Sequence, residues 1–169
     1  NLFKKISKNK LNISSNTDYR FCPSVKDFTS NIYSLKFPFD YNLQIDRERN
    51  RIHSQMYDQK FFDDFVFIRS VEYGLISLNI HYVFFCEQDI DMHLTSAHFS
   101  VNDFINKTRM VPGQLNIGKW IRPIDFTFDV LDLNKPVVIT EGEPIFCVRF
   151  KSADGKKVLL SQQELTKEI

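Results

Sequence analysis

One stretch of the sequence decides the fold: RMVPGQLNIGKWIRPIDFTFDVLDLNKPVVITEGEPIFCVRF, residues 109–150. It contains the only Trp, three of the five Gly and four of the six Pro in the chain. Apolar and polar side chains alternate from Trp120 to Val130, and this alternation predicts a half-buried strand. The residues that it predicts to face the core are Trp120, Ile124, Phe126, Phe128 and Val130.

Two further strands follow in the same stretch, each preceded by a turn. Asn134-Lys135-Pro136 ends the first strand, because Pro fixes φ and has no N–H to donate to a neighbouring strand. We expect Val137–Thr140 to form the next strand and Glu141–Pro144 a turn in which Gly142 takes a positive φ. The last strand is expected to place three side chains toward the core: Phe146, Val148 and Phe150.

Arg122 breaks the alternation, since it falls on the side of the strand where an apolar residue is expected. One interpretation is that the strand begins only after Pro123, which leaves Arg122 in a loop. The other is that the guanidinium group points at an anionic ligand or at a buried acid. Arg122 is therefore a candidate ligand-binding residue, and the sequence leaves both interpretations open.

Several short motifs resemble a family of unknown function that occurs in bacteria and, in divergent form, in tailed phages of marine cyanobacteria. The motifs of the C-terminal half are Pro112-Gly113, WIRPIDFTF at Trp120–Phe128 and GEPI at Gly142–Ile145. Upstream, Cys22-Pro23 and the PFD sequence at Pro38–Asp40 occur in the same order as in that family. The resemblance covers roughly residues 20–150 of the chain.

The chain also departs from the family pattern at two places. Arg122 stands between Trp120 and Pro123, and His93–Phe99 replaces an apolar G-P-P-N loop. The shared motifs are short and structural. The resemblance therefore implies a fold and a phage-like origin, but it implies no reaction.

Size and charge limit the classes of protein to consider. A chain of 169 residues is long enough for one domain. We predict a basic N-terminal arm at 1–16, either flexible or helical, followed by a single β-sandwich domain at 17–169. The net charge of +1 argues against dedicated nucleic-acid binding, which usually needs a clear excess of Lys and Arg. No apolar run reaches the roughly 18 residues that a membrane span requires.

The cysteines indicate the cellular compartment of the protein, and the composition indicates the kind of genome that encodes it. Cys22, Cys86 and Cys147 lie far apart without a C-x-x-C motif, which predicts three free thiols in a reducing environment. We therefore expect a cytoplasmic location, in the host cell for a phage protein, or a place in the virion. Abundant Phe, Ile, Asn and Lys with very little Ala indicate an AT-rich genome, which is compatible with a phage, a marine bacterium or a large DNA virus.

Strands are also predicted upstream of the deciding stretch. Tyr33–Ile45 alternates over its whole length, although Pro38 indicates an edge strand or a bend. Arg51–Tyr57 is expected to pair back on it across a turn at Asp46–Asn50. Further strands are predicted at Phe61–Ile68, which is almost wholly apolar and therefore central, at Leu75–Cys86, and at Val158–Leu160 after a turn at Lys151–Lys157.

Three capping boxes predict short helices, each with Ser followed three residues later by an acidic residue: Ser24–Asp27, Ser100–Asp103 and Ser161–Glu164. The chain therefore has about eight strands and three short helices. Because the strands do not alternate with long helices, a βαβ architecture is excluded. We predict an all-β fold, with a two-sheet sandwich of jelly-roll type as the first choice and a distorted barrel as the second.

Basic side chains mark a second candidate binding site. Arg47, Arg49, Arg51 and His53 alternate around the tip of the predicted hairpin. This pattern is that of a solvated hairpin tip or, alternatively, of a basic ribbon for a phosphate or an acidic partner. His81, on the outward face of the strand Leu75–Cys86, is also a candidate ligand-binding residue.

A metal site is the third candidate functional site, since many metal-dependent enzymes have a jelly-roll fold. Asp91, His93 and His98 are the candidate ligands, with Glu87 in place of Asp91 as a variant. The His-x-Asp/Glu pattern of non-haem iron sites is absent, and His93 and His98 are five residues apart, which puts them on opposite faces of a regular strand. No nucleophile elbow, P-loop or dinucleotide-binding motif is present.

We therefore predict a non-enzymatic β-sandwich protein of phage-like origin that acts through protein–protein contacts, as a virion component or a host-directed accessory factor. Its partner would be another protein or a second copy of the chain, and it would need no cofactor. One alternative is a metal-dependent jelly-roll enzyme of the oxygenase type. The other is a small-molecule or glycan-binding module.

Overall fold

The computed structural model describes residues 3–5, 22–54, 56, 58–98 and 100–162. Within these ranges the chain forms three short helices: α1 (Pro23–Phe28), α2 (Gln59–Phe65) and α3 (Asp103–Lys107). The strands in chain order are β1 (Phe3–Lys5), β2 (Ile32–Lys36), β3 (Tyr41–Asp46), β4 (Arg51–His53), β5 (Val66–Ser70), β6 (Leu75–Val83), β7 (Ile90–Ser96), β8 (Thr108–Met110), β9 (Gly113–Asn116), β10 (Pro123–Val130), β11 (Val137–Ile139) and β12 (Pro144–Ser152).

The described strands form three antiparallel sheets. The largest has the order β1-β2-β12-β7-β9, the second β5-β6-β10-β8 and the smallest β11-β3-β4. None of the three closes on itself within the described residues, which favours the sandwich over the distorted barrel. The predicted all-β sandwich with three short helices is confirmed, and the third sheet is an addition to the two that we expected. The finer jelly-roll assignment stays a prediction.

Buried side chains from all three sheets form one core. In β10 every second residue is buried, so the alternation that predicted this strand is confirmed. Phe126 of β10 stacks on Phe146 of β12, with 3.6 Å between the ring centroids. This contact joins the two sheets directly, because one ring belongs to each of them.

The single strand predicted at Tyr33–Ile45 is wrong, since two strands in two different sheets replace it, but the bend that Pro38 indicated is confirmed. β2 ends at Lys36, and β3 begins at Tyr41 after a bend that contains Pro38. Pro38 cannot donate a hydrogen bond to a neighbouring strand, so a break at this position follows from its chemistry. The alternation nevertheless continues across the bend, and Phe37 and Tyr41 are both buried.

The central strand predicted at Phe61–Ile68 is also wrong. The first part of this run belongs to helix α2, and the rest forms β5, which lies at the edge of the four-stranded sheet. A short apolar run has no period that separates a helix from a strand. The exposure of Phe67 is 40%, as is reasonable for a residue on an edge strand.

The helix starts differ from the capping-box predictions. α3 is capped by Asn102, whose Oδ1 accepts a hydrogen bond of 2.8 Å from the backbone N–H of Ile105. α1 begins at Pro23 after Cys22, and no side chain caps it. The predicted helix that would start at Ser161 lies largely outside the described residues.

The chain ends differ from the predictions in two more ways. Phe3–Lys5, within the predicted arm, forms β1 and pairs antiparallel with β2; the rest of the arm lies outside the described residues. Val158–Leu160 is not a strand, although Val158 is held by its backbone N–H, which donates to Asn31 Oδ1 at 3.0 Å. The turn at Glu141–Pro144 is confirmed, with a φ of 78° at Gly142.

Replacing Gly142 with Ala should lower the free energy of unfolding by about 1 kcal/mol. A Cβ at this position would meet no atom within 4 Å, so the cost comes from the positive φ alone. Urea denaturation of the two proteins measures the difference. Asn tolerates this backbone region better than Ala, so Gly142→Asn should retain more stability. An Ala variant as stable as the parent would contradict the backbone explanation.

Replacing Phe126 with Ala should lower the free energy of unfolding by roughly 3–5 kcal/mol, because it leaves a cavity between the two sheets. Thermal or urea denaturation measures the loss. Phe67→Ala is the matched control, since it removes the same ring from an exposed position of the sheet packed on this core. Similar losses from the two substitutions would show that Phe126 does not have the central packing role described here.

Candidate functional site

An open cleft of about 660 Å³ lies where the edge of the five-stranded sheet meets the outer side of the four-stranded sheet. One wall comes from β7 and β9, and the other comes from β5, β6, β10 and the loop before β10. The residues that line it are Arg69, Asn79, Leu94, Gly113, Gln114, Leu115, Trp120, Arg122, Pro123, Ile124 and Asp125. The cleft thus combines one large aromatic ring with charged and amide side chains.

Asn116 and Gly118 hold the loop that carries Trp120. The side-chain amide of Asn116 donates to Asp89 and, at 3.2 Å, to Asp91, while its backbone oxygen accepts from the N–H of Trp120 at 3.0 Å. A Cβ at Gly118 would lie 2.2 Å from the backbone oxygen of Gln88, so the close approach of the two chains requires Gly there. These contacts fix the position of Trp120 at the rim of the cleft.

Arg122 lies outside the strand, because β10 begins at Pro123. The loop interpretation of the broken alternation is therefore confirmed. The guanidinium carbon of Arg122 lies 4.3 Å from the centroid of the Trp120 ring, a cation–π contact. Trp120 itself is 49% exposed, so its predicted place among the core-facing residues is wrong: the alternation holds only within the strand.

A polar network stiffens the floor of the cleft. Arg69 donates to Asp125 Oδ2 at 3.0 Å and, through Nε, to the hydroxyl of Ser77 at 3.1 Å. Ser77 is fully buried, and its hydroxyl lies 2.7 Å from that of Thr127. Asp125 neutralises the charge of Arg69, and the bond to Ser77 orients its side chain along the sheet.

A bulge in β6 shapes the end of the cleft. Pro123 pairs with Val83 but Asp125 pairs with Asn79, so β6 contains two extra residues at this point. His81 lies within the bulge, with a φ of 54° and its backbone N–H donating to Asn79 Oδ1 at 3.0 Å. Its ring meets that of Phe65 edge-on at 5.7 Å, and it is not among the residues that line the cleft.

Several polar groups in the cleft have no partner among the described residues. Arg122 has no ion pair there, and the side-chain amide of Gln114 has no hydrogen bond. Asn79 uses its oxygen for His81, which leaves its NH₂ group. Asp125 uses Oδ2 for Arg69, which leaves Oδ1. These groups are the ones that a bound molecule can engage.

The basic residues of the hairpin are divided between a turn and a strand. Arg47 and Arg49 lie in the turn between β3 and β4, and only Arg51 and His53 lie on β4. Arg49 bonds Asp46 through its backbone N–H at 3.0 Å. His53 Nδ1 is buried without a hydrogen-bond partner among the described residues. The interpretation of these four residues as a basic ribbon therefore stays a prediction.

The candidate metal ligands are not assembled either. Asp91 and His93 both lie on β7, whereas His98 follows that strand and packs edge-on against Phe28, with 5.8 Å between the ring centroids. Asp91 is engaged by Asn116. In the described part of the chain, no three side chains of His, Cys, Asp or Glu are grouped as a metal ion would require.

The three cysteines are free thiols in different environments. Burial raises the pKa of the Cys147 thiol to about 12, and this side chain packs against Ile32 and Ala97. The backbone N–H groups of Val25 and Ser24 lower the pKa of the exposed Cys22 thiol. Cys86 donates from its sulfur to the backbone oxygen of Gln88 at 3.0 Å, beside the loop of Gly118.

Alkylation at about pH 8 should therefore modify Cys22 first and leave Cys147 unmodified in the folded protein. Cys22 has the lowered pKa and forms more thiolate at this pH, whereas Cys147 stays protonated and enclosed. Mass spectrometry of peptides after iodoacetamide treatment measures both sites. Cys147 should react once guanidinium chloride unfolds the chain. Equal rates at the two sites in the native protein would contradict the described burial.

Comparison with protein-family models, with curated proteins and with solved structures finds no match. The family resemblance of the motifs and the phage-like origin that it implies therefore stay predictions. Among the described residues, no helix has the length and apolar character to cross a membrane.

Proposed function

We propose that the protein is a non-enzymatic binding module and that it binds a carbohydrate in the cleft between β9 and the four-stranded sheet. One observation supports this proposal most strongly. A half-exposed Trp120 stands at the rim of an open cleft whose other side chains include planar amides with unused hydrogen-bonding groups. This combination selects a ligand that has both an apolar face and many hydroxyl groups.

Each part of the cleft matches one property of a sugar ring. One face of the Trp120 indole is covered by the Arg122 guanidinium, and the remaining exposed part of the indole is a flat apolar surface for the C–H groups of the sugar ring. Gln114 and Asn79 present amide groups, and Asp125 presents a carboxylate oxygen, for adjacent hydroxyls. The ion pair of Arg69 with Asp125 holds that carboxylate in place before a ligand arrives.

Other ligand classes fit these side chains less well. An apolar ligand would leave the polar groups of the cleft without partners, at a cost of about 1–3 kcal/mol for each buried one. A nucleic acid needs a groove with a clear excess of positive charge. Here Asp125 offsets Arg69, and the net charge of the whole chain is +1.

The hypothesis of protein–protein contact is the second candidate, because exposed apolar side chains lie at the same end of the four-stranded sheet. The exposed fraction is 46% for Phe85 and 63% for Ile121. Both residues lie just beyond the paired positions Val83 and Pro123 of β6 and β10. Such a rim would suit contact with the protein that carries a glycan, so this candidate is compatible with the first.

Addition of the correct sugar should change the fluorescence of Trp120 in a saturable way, because this is the only Trp in the chain. A panel of neutral and acidic mono- and oligosaccharides supplies the ligands. The indole N–H of Trp120 gives one resonance in a ¹⁵N NMR spectrum and reports weak binding independently. Trp120→Ala should abolish the binding measured by calorimetry, since it removes the stacking surface.

Tyr73→Ala is the matched control, because it removes an aromatic ring that is more exposed and does not line the cleft. It should bind the same sugar as the parent does. A panel in which no sugar changes the Trp120 signals would overturn the carbohydrate proposal. Binding that survives Trp120→Ala would overturn the assignment of the cleft.

A further inference from the structure

We infer that the ligand of the cleft is an acidic sugar that carries a single carboxylate, as a uronic acid does. This inference rests on the proposed carbohydrate-binding function and specifies the ligand further. Its basis is the arrangement of Arg122, Arg69 and Asp125, together with the hydrogen-bonding groups that remain unused around them.

The charges of the cleft leave one positive group without a counter-charge. Arg69 is neutralised by Asp125, whose Oδ2 lies 3.0 Å from its guanidinium nitrogen. Arg122 has no carboxylate partner among the described residues, and its guanidinium lies on the Trp120 ring. A planar guanidinium binds a carboxylate with two parallel hydrogen bonds. The cleft therefore has a place for one negative charge.

The unused hydrogen-bonding groups indicate what else the ligand contains. Asn79 offers an NH₂ group, and Gln114 offers both an NH₂ group and an oxygen. Asp125 Oδ1 can only accept, so the ligand must also donate. A simple carboxylate such as acetate has no donor, whereas the hydroxyls of a sugar both donate and accept. The ligand that satisfies these groups is thus a hydroxylated carboxylate.

Trp120 orders both the cation and the sugar ring. The stacked ring restricts the Arg122 side chain, so less rotational freedom is lost when a carboxylate binds. A pyranose that lies against the exposed part of the indole brings a carboxylate on its ring close to the guanidinium. Trp120 therefore contacts the sugar ring and also positions the guanidinium that binds the carboxylate.

A phosphate ester is the competing anion, and the charge of the cleft disfavours it. A phosphate monoester carries close to two negative charges at neutral pH. Arg69 is already paired with Asp125, so the cleft has one uncompensated cation and the second negative charge of a phosphate would have no counter-charge. Adenosine monophosphate is therefore a suitable comparison probe, because its base can also stack on Trp120.

The test compares sugars that differ only at C6: glucose with glucuronate, galactose with galacturonate, and mannose with mannuronate. NMR titration of the Trp120 indole resonance measures each affinity at constant ionic strength, with acetate and adenosine monophosphate as additional probes. In at least one pair the acid should bind about tenfold or more tightly than the neutral sugar, as one charge-assisted pair implies.

Arg122→Gln should remove this preference and leave weak binding of the neutral sugar. The matched control is Arg109→Gln, which removes an exposed arginine paired with Asp129 on the same sheet but outside the cleft. This control should keep the preference for the acid.

Other results of these titrations would contradict the inference or the proposal. Equal binding within all three pairs overturns the acidic-sugar inference and leaves the carbohydrate proposal intact. A preference for the acid that survives Arg122→Gln overturns the role of Arg122 as the group that binds the carboxylate. Tighter binding of acetate or adenosine monophosphate than of every uronate replaces the acidic-sugar inference with a simple anion site. Absence of binding by any sugar in the panel overturns the carbohydrate proposal and the inference with it.

Discussion

The stack of Phe126 on Phe146 is the contact on which the rest of the structure depends. It joins β10 to β12 and so fixes the distance between the four-stranded and five-stranded sheets. The cleft has one wall from each sheet, so the relative position of the two sheets also positions these walls. The packing of the two sheets in the core therefore also determines where the walls of the cleft lie. The bulge of β6 and the loop of Trp120 modify the cleft locally, on a frame that this contact establishes.

Much of the fold could be predicted from the sequence where alternation or turn chemistry was clear. This holds for β10, with Phe126 buried as expected, and for the turn that contains Gly142 at positive φ. Alternation did not locate every strand end, since it continues through the break between β2 and β3. The errors occurred where local chemistry favoured two structures equally. The apolar run at Phe61–Ile68 suits a helix as well as a strand, and Ser100 matches a cap that Asn102 provides instead. Only tertiary contacts decide such cases.

The candidate site was less predictable, because its walls come from segments that are distant in sequence. Arg122 was visible as a break in alternation, and Trp120 beside it as the only Trp. Gln114 and Asn79 gave no signal, since an amide on a strand is ordinary until the opposite wall is known. The bulge at His81 was also hidden, because no Gly marks its positive φ. The alternating basic residues of the hairpin extend from β4 into the turn, where the alternation of a strand no longer determines which way a side chain faces.

The connection between β8 and β9 has a consequence for how a ligand enters. Met110 ends a strand of the four-stranded sheet and Gly113 begins one of the five-stranded sheet, so only Val111 and Pro112 separate the two sheets along the chain. Val111 is itself bonded to β10, its N–H lying 2.9 Å from the backbone oxygen of Thr127. So short a connection limits how far β9 can move away from the four-stranded sheet. We therefore expect a ligand to bind without a large rearrangement of the cleft, at a rate governed by diffusion and orientation.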